Sequence, residues 1–176
     1  IIAELAKLYK NDGKTVWILT HVQQLVKQNA RTYLAYTGNE AGIVCAGLNR
    51  KDTTEPVIFG TIQSMMGVLA EMTSPDLIII DEAHRVPHDF GEDSLYSKIL
   101  KRYPEAGRVA MTATPWRMDN GIIYGKGEEF FFDTLAYNYN VTKAVEDGYL
   151  CPLVGVQTDI QLDVENVSVS GDFVQK

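Results

Sequence analysis

Two adjacent carboxylates and a histidine stand at one spot in this chain, Asp81-Glu82-Ala83-His84, directly after the apolar run Leu77-Ile78-Ile79-Ile80. Such a run reads as a buried strand, so the charged groups are presented where that strand ends. A strand-end Asp suits a water-mediated contact to Mg2+, because this hard cation favours oxygen ligands and keeps most of its waters. The adjacent Glu can orient or deprotonate a water that attacks a γ-phosphate. Further on, Val109-Ala110-Met111 leads into Thr112-Ala113-Thr114-Pro115, a second apolar strand that ends in two hydroxyls. Those hydroxyls can hydrogen-bond Glu82 or His84 across neighbouring strand ends and so relay the state of a nucleotide to movement elsewhere. Alone, Asp-Glu fits a solvated acidic turn and Thr-Ala-Thr-Pro an ordinary strand terminus. Together they select Mg-nucleotide hydrolysis.

Two further polar clusters, Thr20-His21 and Thr61-Ile62-Gln63-Ser64, each stand where a strand hands over to a helix. Backbone N–H groups at such a junction form an anion site, and the hydroxyls can bond sugar-phosphate oxygens. Helix capping by Thr20 or Ser64 is the alternative that needs no ligand. His84 and His88 do not make a zinc pair. They lack a third ligand, and Pro87 between them interrupts any continuous helix. The charge clusters at 52–55 and 89–93 read as solvated loops.

The elements that must position these groups follow from periodicity. A helix opens the chain with Ile2, Leu5, Ala6, Leu8 and Tyr9 on one face and stops at Asn11-Asp12-Gly13. Strands are expected over 15–20, 42–47, 57–61, 77–81 and 109–112. Helices are expected over about 21–36, with Val22, Leu25, Val26 and Leu34 apolar, and over 63–72 and 94–103. Buried-type strands alternating with helices predict an α/β fold with three layers and a mainly parallel sheet. Ligands in such sheets bind at the carboxyl ends of the strands, and all four polar clusters fall there. After Pro115 the character changes: 116–133 reads as a long Gly- and aromatic-rich loop over the site, 141–147 as a short helix stopped by Gly148. An edge strand follows from Leu150, and 163–176 reads as a polar linker.

With 176 residues, 45% hydrophobic and 22% charged, the chain has room for one good-sized domain with its own core. No apolar run exceeds strand length, which gives no membrane span, and no signal peptide is visible. Two cysteines suit free thiols in a reducing cytoplasm. A net charge of −7 opposes nucleic-acid binding through a basic surface. Phosphates held by backbone N–H groups, or a partner domain that supplies Lys and Arg, would relieve that objection.

Asp81-Glu82-Ala83-His84, Thr112-Ala113-Thr114-Pro115, Thr20-His21 and Thr61-Ile62-Gln63-Ser64 occur in the order of superfamily 2 helicase motifs and resemble motifs II, III, Ia and Ib. The stretches at 46–53, 57–65, Thr114-Pro115-Trp116-Arg117 and 147–153 narrow the resemblance to RadD-type DNA-repair helicases and the motor parts of type I and III restriction enzymes. The resemblance covers nearly the whole chain. It implies the first RecA-like lobe (a P-loop NTPase fold) of a DNA-stimulated ATPase, over 1–150, with 151–176 leading toward a second RecA-like lobe. On it, Asp81 holds Mg2+ through water and Glu82 is the catalytic base. His84, Thr112 and Thr114 couple hydrolysis of ATP to lobe movement, and Thr20, His21, Thr61 and Gln63 track a DNA backbone, RNA not being excluded. Arg117 is a conformational or DNA-contact residue. One departure matters: the phosphate-cradling G-x-x-x-x-G-K-[ST] occurs nowhere in the 176 residues. The opening helix resembles the one that follows that loop, so the lobe reads as truncated at its N-terminus and as inactive alone.

Overall fold

The computed structural model describes residues 1–86, 94–117, 121–127, 130–152, 154–155, 168–170 and 173–175. These fall into two compact units, Ile1–Asp133 and Thr134–Lys176. In the first, six strands form one sheet: β1 (Val16–Thr20), β2 (Gly42–Cys45), β3 (Arg50–Lys51), β4 (Val57–Thr61), β5 (Leu77–Asp81) and β6 (Gly107–Met111). Their order is β3-β2-β4-β1-β5-β6, parallel throughout except for β3, which runs antiparallel to β2. The fold is therefore the expected α/β one with a mainly parallel sheet.

The core divides by strand period. Trp17, Leu19, Ile58, Ile78 and Ile80 point to one face of the sheet, where they meet Ile62, Met65, Tyr96, Ile99 and Leu100. Val16, Ile18, Val57, Phe59, Leu77 and Ile79 point to the other, against Ala3, Ala6, Val26 and Tyr33. Helices α1 (Ile2–Asn11) and α2 (Gln23–Thr37) thus cover one face. Helices α3 (Ile62–Met66) and α4 (Leu95–Arg102) cover the opposite one. The three layers follow from strands that are apolar at every position and so need cover on both sides.

Several boundaries depart from the periodicity. On α2 the buried stripe is Val26 and Tyr33, one residue away from the expected Leu34, which is 44% exposed. Tyr33 wins because its ring packs on Phe59 of β4, centroids 5.8 Å apart. The expected helix over 63–72 is broken at Gly67 into α3 and a 3-10 turn, Leu69–Glu71. The stretch 116–133 is not a free loop: Trp116–Arg117 pairs with Gly121–Ile122, and Ile123, Phe131 and Phe132 enter the core. Gly60 in β4 allows a close approach, since a Cβ there would stand 2.5 Å from Met65 Sδ and 2.8 Å from the Val44 carbonyl oxygen.

In the second unit, α5 (Val141–Glu146) is capped by Asn140, whose Oδ1 accepts the Lys143 N–H at 2.8 Å. It ends before Gly148 at φ +78°, the left-handed stop expected of that glycine. Ser168–Ser170 and Phe173–Gln175 form a short antiparallel pair inside the stretch expected as linker. The edge strand expected from Leu150 falls mostly outside the described residues. Among the described residues no helix is long and apolar enough to cross a membrane.

Candidate functional site

The register brings the polar clusters to one edge of the sheet. Thr20 of β1 stands opposite Thr61 of β4, and Asp81 of β5 opposite Met111 of β6, which precedes Thr112. Asp81 is held at both oxygens. Its Oδ2 accepts from Asn29 Nδ2 at 2.9 Å, and its Oδ1 accepts the Glu82 N–H at 3.2 Å. Each oxygen has accepting capacity beyond its one donor.

Glu82 turns the chain sharply. Its backbone is left-handed (φ 58°, ψ 48°), a conformation that costs a residue with a Cβ about 1–2 kcal/mol. The following 3-10 turn, Ala83–Arg85, closes with the Arg85 N–H on the Glu82 carbonyl at 3.2 Å and buries Ala83 completely. This fold-back aims the side chains of Glu82 and His84 at each other. His84 Nδ1 lies 3.3 Å from Glu82 Oε2 and 3.2 Å from Thr112 Oγ1.

The proton on that ring can be placed from its neighbours. Thr112 donates its hydroxyl to the Thr114 carbonyl at 3.1 Å and accepts the Thr114 N–H at 3.1 Å. The Glu82 carboxylate can only accept, so that contact uses a hydrogen on Nδ1; between His84 and Thr112 the donor follows the tautomer. Of the expected links, the one from Glu82 through His84 to the Thr112 hydroxyl is present, while Thr114 enters through its backbone N–H and carbonyl.

His21 joins this cluster. Burial first, and then the charges of Arg85 and His84, lower its pKa from 6.5 against the pull of Glu82 and Asp81, which favours the neutral ring. Its Nδ1 is buried without a hydrogen-bond partner. Thr20 is 1% exposed, with its hydroxyl at 3.5 Å from the Val22 N–H. Thr61 is also buried and donates to Ser64 Oγ at 2.8 Å; that oxygen also accepts the Ala46 N–H at 2.9 Å. Gln63 is exposed beside them at the start of α3. Arg117 lies in the short strand that pairs with Gly121, and His88 lies outside the described residues.

Two residues near the carboxylates escaped the sequence reading. Asn29 comes from α2, and its contact with Asp81 spans 52 positions. The available signal was a polar side chain three residues after Val26, on the helix face that turns inward. Tyr96 of α4 is the other. Burial pushes its hydroxyl up to about 12, the charges of Arg85 and Asp81 act on it in opposite senses, and the hydroxyl is buried without a partner.

Among the described residues no three His, Cys, Asp or Glu side chains converge on a metal ion. A single held carboxylate with open lone pairs is what Mg2+ requires when nucleotide phosphates and waters complete its shell. Asp81 fits that role. Glu82, the next residue, brings a second carboxylate to the same strand end.

Comparison with known proteins matches residues 1–117 to the family described as type III restriction enzyme, res subunit. A type I restriction enzyme EcoAI endonuclease subunit from Escherichia coli is 34% identical over 90 residues, 51% of this chain and 10% of that protein. A 51.5 kDa protein of Lactococcus phage (isolate 7-9) is 28% identical over 152 residues, 86% of this chain and 28% of that protein. The chain spans between a tenth and under a third of the length of these curated relatives. The parallel sheet, the edge on which its strand ends gather and the match through Arg117 agree: the chain belongs to the type III restriction enzyme res-subunit family, with its RecA-like, superfamily 2 helicase-type fold.

Proposed function

We propose that this chain carries the metal- and water-handling side of an ATP-driven motor that moves on DNA. The observation that carries the reading is the His84 bridge, from Glu82 at 3.3 Å to Thr112 at 3.2 Å. It joins a candidate base on one strand to a hydroxyl on the next, so displacement of either strand end alters the hydrogen bonding of the other. When bound, Mg2+ and ATP would supply charge neutralisation and the phosphoryl group to be transferred. Asp81 would hold the cation through water. Glu82 would take the proton of the attacking water, and His84 with Thr112 and Thr114 would report that change. Thr20, His21, Thr61 and Gln63 would track one nucleic-acid strand by its backbone, with Arg117 as a further conformational or contact residue and a second RecA-like lobe completing the motor. His21, which feels the charges of Arg85, Glu82 and Asp81, would link tracking to hydrolysis.

The family description and the name of the Escherichia coli relative favour a restriction-enzyme motor over a repair helicase. A catalytically inert scaffold lobe is the second reading; a full-length natural protein without any phosphate-cradling motif would favour it. The chain by itself is expected not to turn over ATP, because these 176 residues contain no such motif and phosphoryl transfer rests on phosphate positioning and charge neutralisation. The deciding measurement is steady-state ATP hydrolysis by the full-length natural protein, with and without single- and double-stranded DNA and RNA. Turnover stimulated by DNA supports the motor and identifies its track. A folded protein with no turnover under any of these conditions sinks it in favour of the scaffold.

A further inference from the structure

Asn29 stands on α2, on the face that turns to the sheet, between two anchors of that helix. Val26, three residues before, and Tyr33, four residues after, are both fully buried, and the Tyr33 ring packs on Phe59. These contacts fix the helix against the sheet. Asn29 is half-buried in this setting, and its side-chain amide donates to Asp81 Oδ2 at 2.9 Å. With the Glu82 N–H on Oδ1 at 3.2 Å, each carboxylate oxygen has one donor, which fixes the plane of the group. Asparagine is a weak helix former, so propensity alone does not account for it here. An amide also differs from a Lys or Arg at this place: it orients Asp81 without cancelling the negative charge that a cation would need.

We infer that Asn29 is a positioning residue, an outer partner that holds the Asp81 carboxylate in the orientation it needs to receive Mg-nucleotide; this rests on the motor reading above. Outer partners of metal-binding groups change metal affinity or activity by about 10–100-fold when removed. A water-mediated contact puts the expectation near the lower limit.

The test compares the full-length natural protein with its Asn29→Leu variant, which keeps the shape and removes the donor. Mn2+ binding is followed by electron paramagnetic resonance in the presence of a non-hydrolysable ATP analogue, and turnover is titrated with Mg2+. The variant is expected to need roughly tenfold more cation for half-saturation in both measurements. Its thermal midpoint and its affinity for the analogue without metal stay at the wild-type values. Unchanged cation dependence in the variant overturns the inference, whether or not the thermal midpoint falls, since a fall alone marks Asn29 as a packing residue. If wild type itself shows no cation-dependent nucleotide binding, the motor reading fails, and the role of Asn29 fails with it.

Discussion

Strands β4 and β5 flank β1 in the same sheet, end at the same edge and pass directly into short helical segments. Their ends are nonetheless built differently. At β4 the chain leaves Thr61 in an ordinary extended conformation (φ −79°, ψ 142°). The hydroxyls there serve neighbours, Thr61 donating to Ser64 and Ser64 accepting the Ala46 N–H. At β5 the chain is forced through a left-handed Glu82, and its side chains reach α2 at Asn29 and the end of β6 at Thr112. One junction is closed by hydrogen bonds among its own hydroxyls and to the Ala46 N–H. The other accepts backbone strain to converge groups from three elements, and strain kept in this way is typical of working sites.

Three substitutions probe that contrast, beginning with the largest effect. Glu82→Gln in the full-length natural protein should cut ATP turnover by about 10²–10⁴-fold while Mg-ATP binding persists. Wild-type turnover in that variant would remove Glu82 as the base and reduce the β5 end to a structural turn. Gly60→Ala addresses the β4 side, where a Cβ would press on Met65 Sδ and the Val44 carbonyl oxygen. It should lower stability by about 1–3 kcal/mol, read from the urea midpoint, through overpacking. A neutral result would show that Met65 moves aside and that β4 is packed more loosely than its burial suggests.

The smallest effect concerns His21, whose folded pKa is depressed by burial and by Arg85. In the window below 6.5 the unfolded chain binds the proton more readily than the folded one, so stability is complete above that pH and declines as pH falls. His21→Gln should flatten this decline below pH 6.5, measured as the urea midpoint at each pH. A decline of the same slope in the variant would assign the acid sensitivity to other groups.

Much of this arrangement was legible in the residues. Strands β4 and β5 read correctly to their ends, because strands buried on both faces are apolar at every position and stop abruptly at polar residues. The link from His84 to Thr112 was legible for a chemical reason: a histidine after paired carboxylates and a hydroxyl on a later strand end complement each other only if the strands are neighbours. Asn29 was not legible. Its partner lies 52 positions away, and one polar residue on a helix stripe does not say what it faces. Strand β3 escaped as well, since Arg50-Lys51 is held by two register partners on β2 and by no hydrophobic pattern. Leu34 failed through competition, as an aromatic neighbour took the inward position on the same helix. Local pattern gives elements; long-range partners decide which faces are used.

The central place of β1 has a consequence for synthesis. Its five residues are all buried, and its partners in the sheet follow late, Val16 pairing with Val57 on one side and Leu77 on the other. At roughly 5–20 residues per second, the first neighbour reaches the ribosome exit about 2–8 s after β1 and the second about 3–12 s after it. During those seconds Val-Trp-Ile-Leu-Thr is an uncovered, uncharged β-prone segment, the type that aggregates. One of the two innermost strands of the finished sheet is therefore left uncovered while the protein is being made, and slower elongation between residues 20 and 57 would lengthen the exposure.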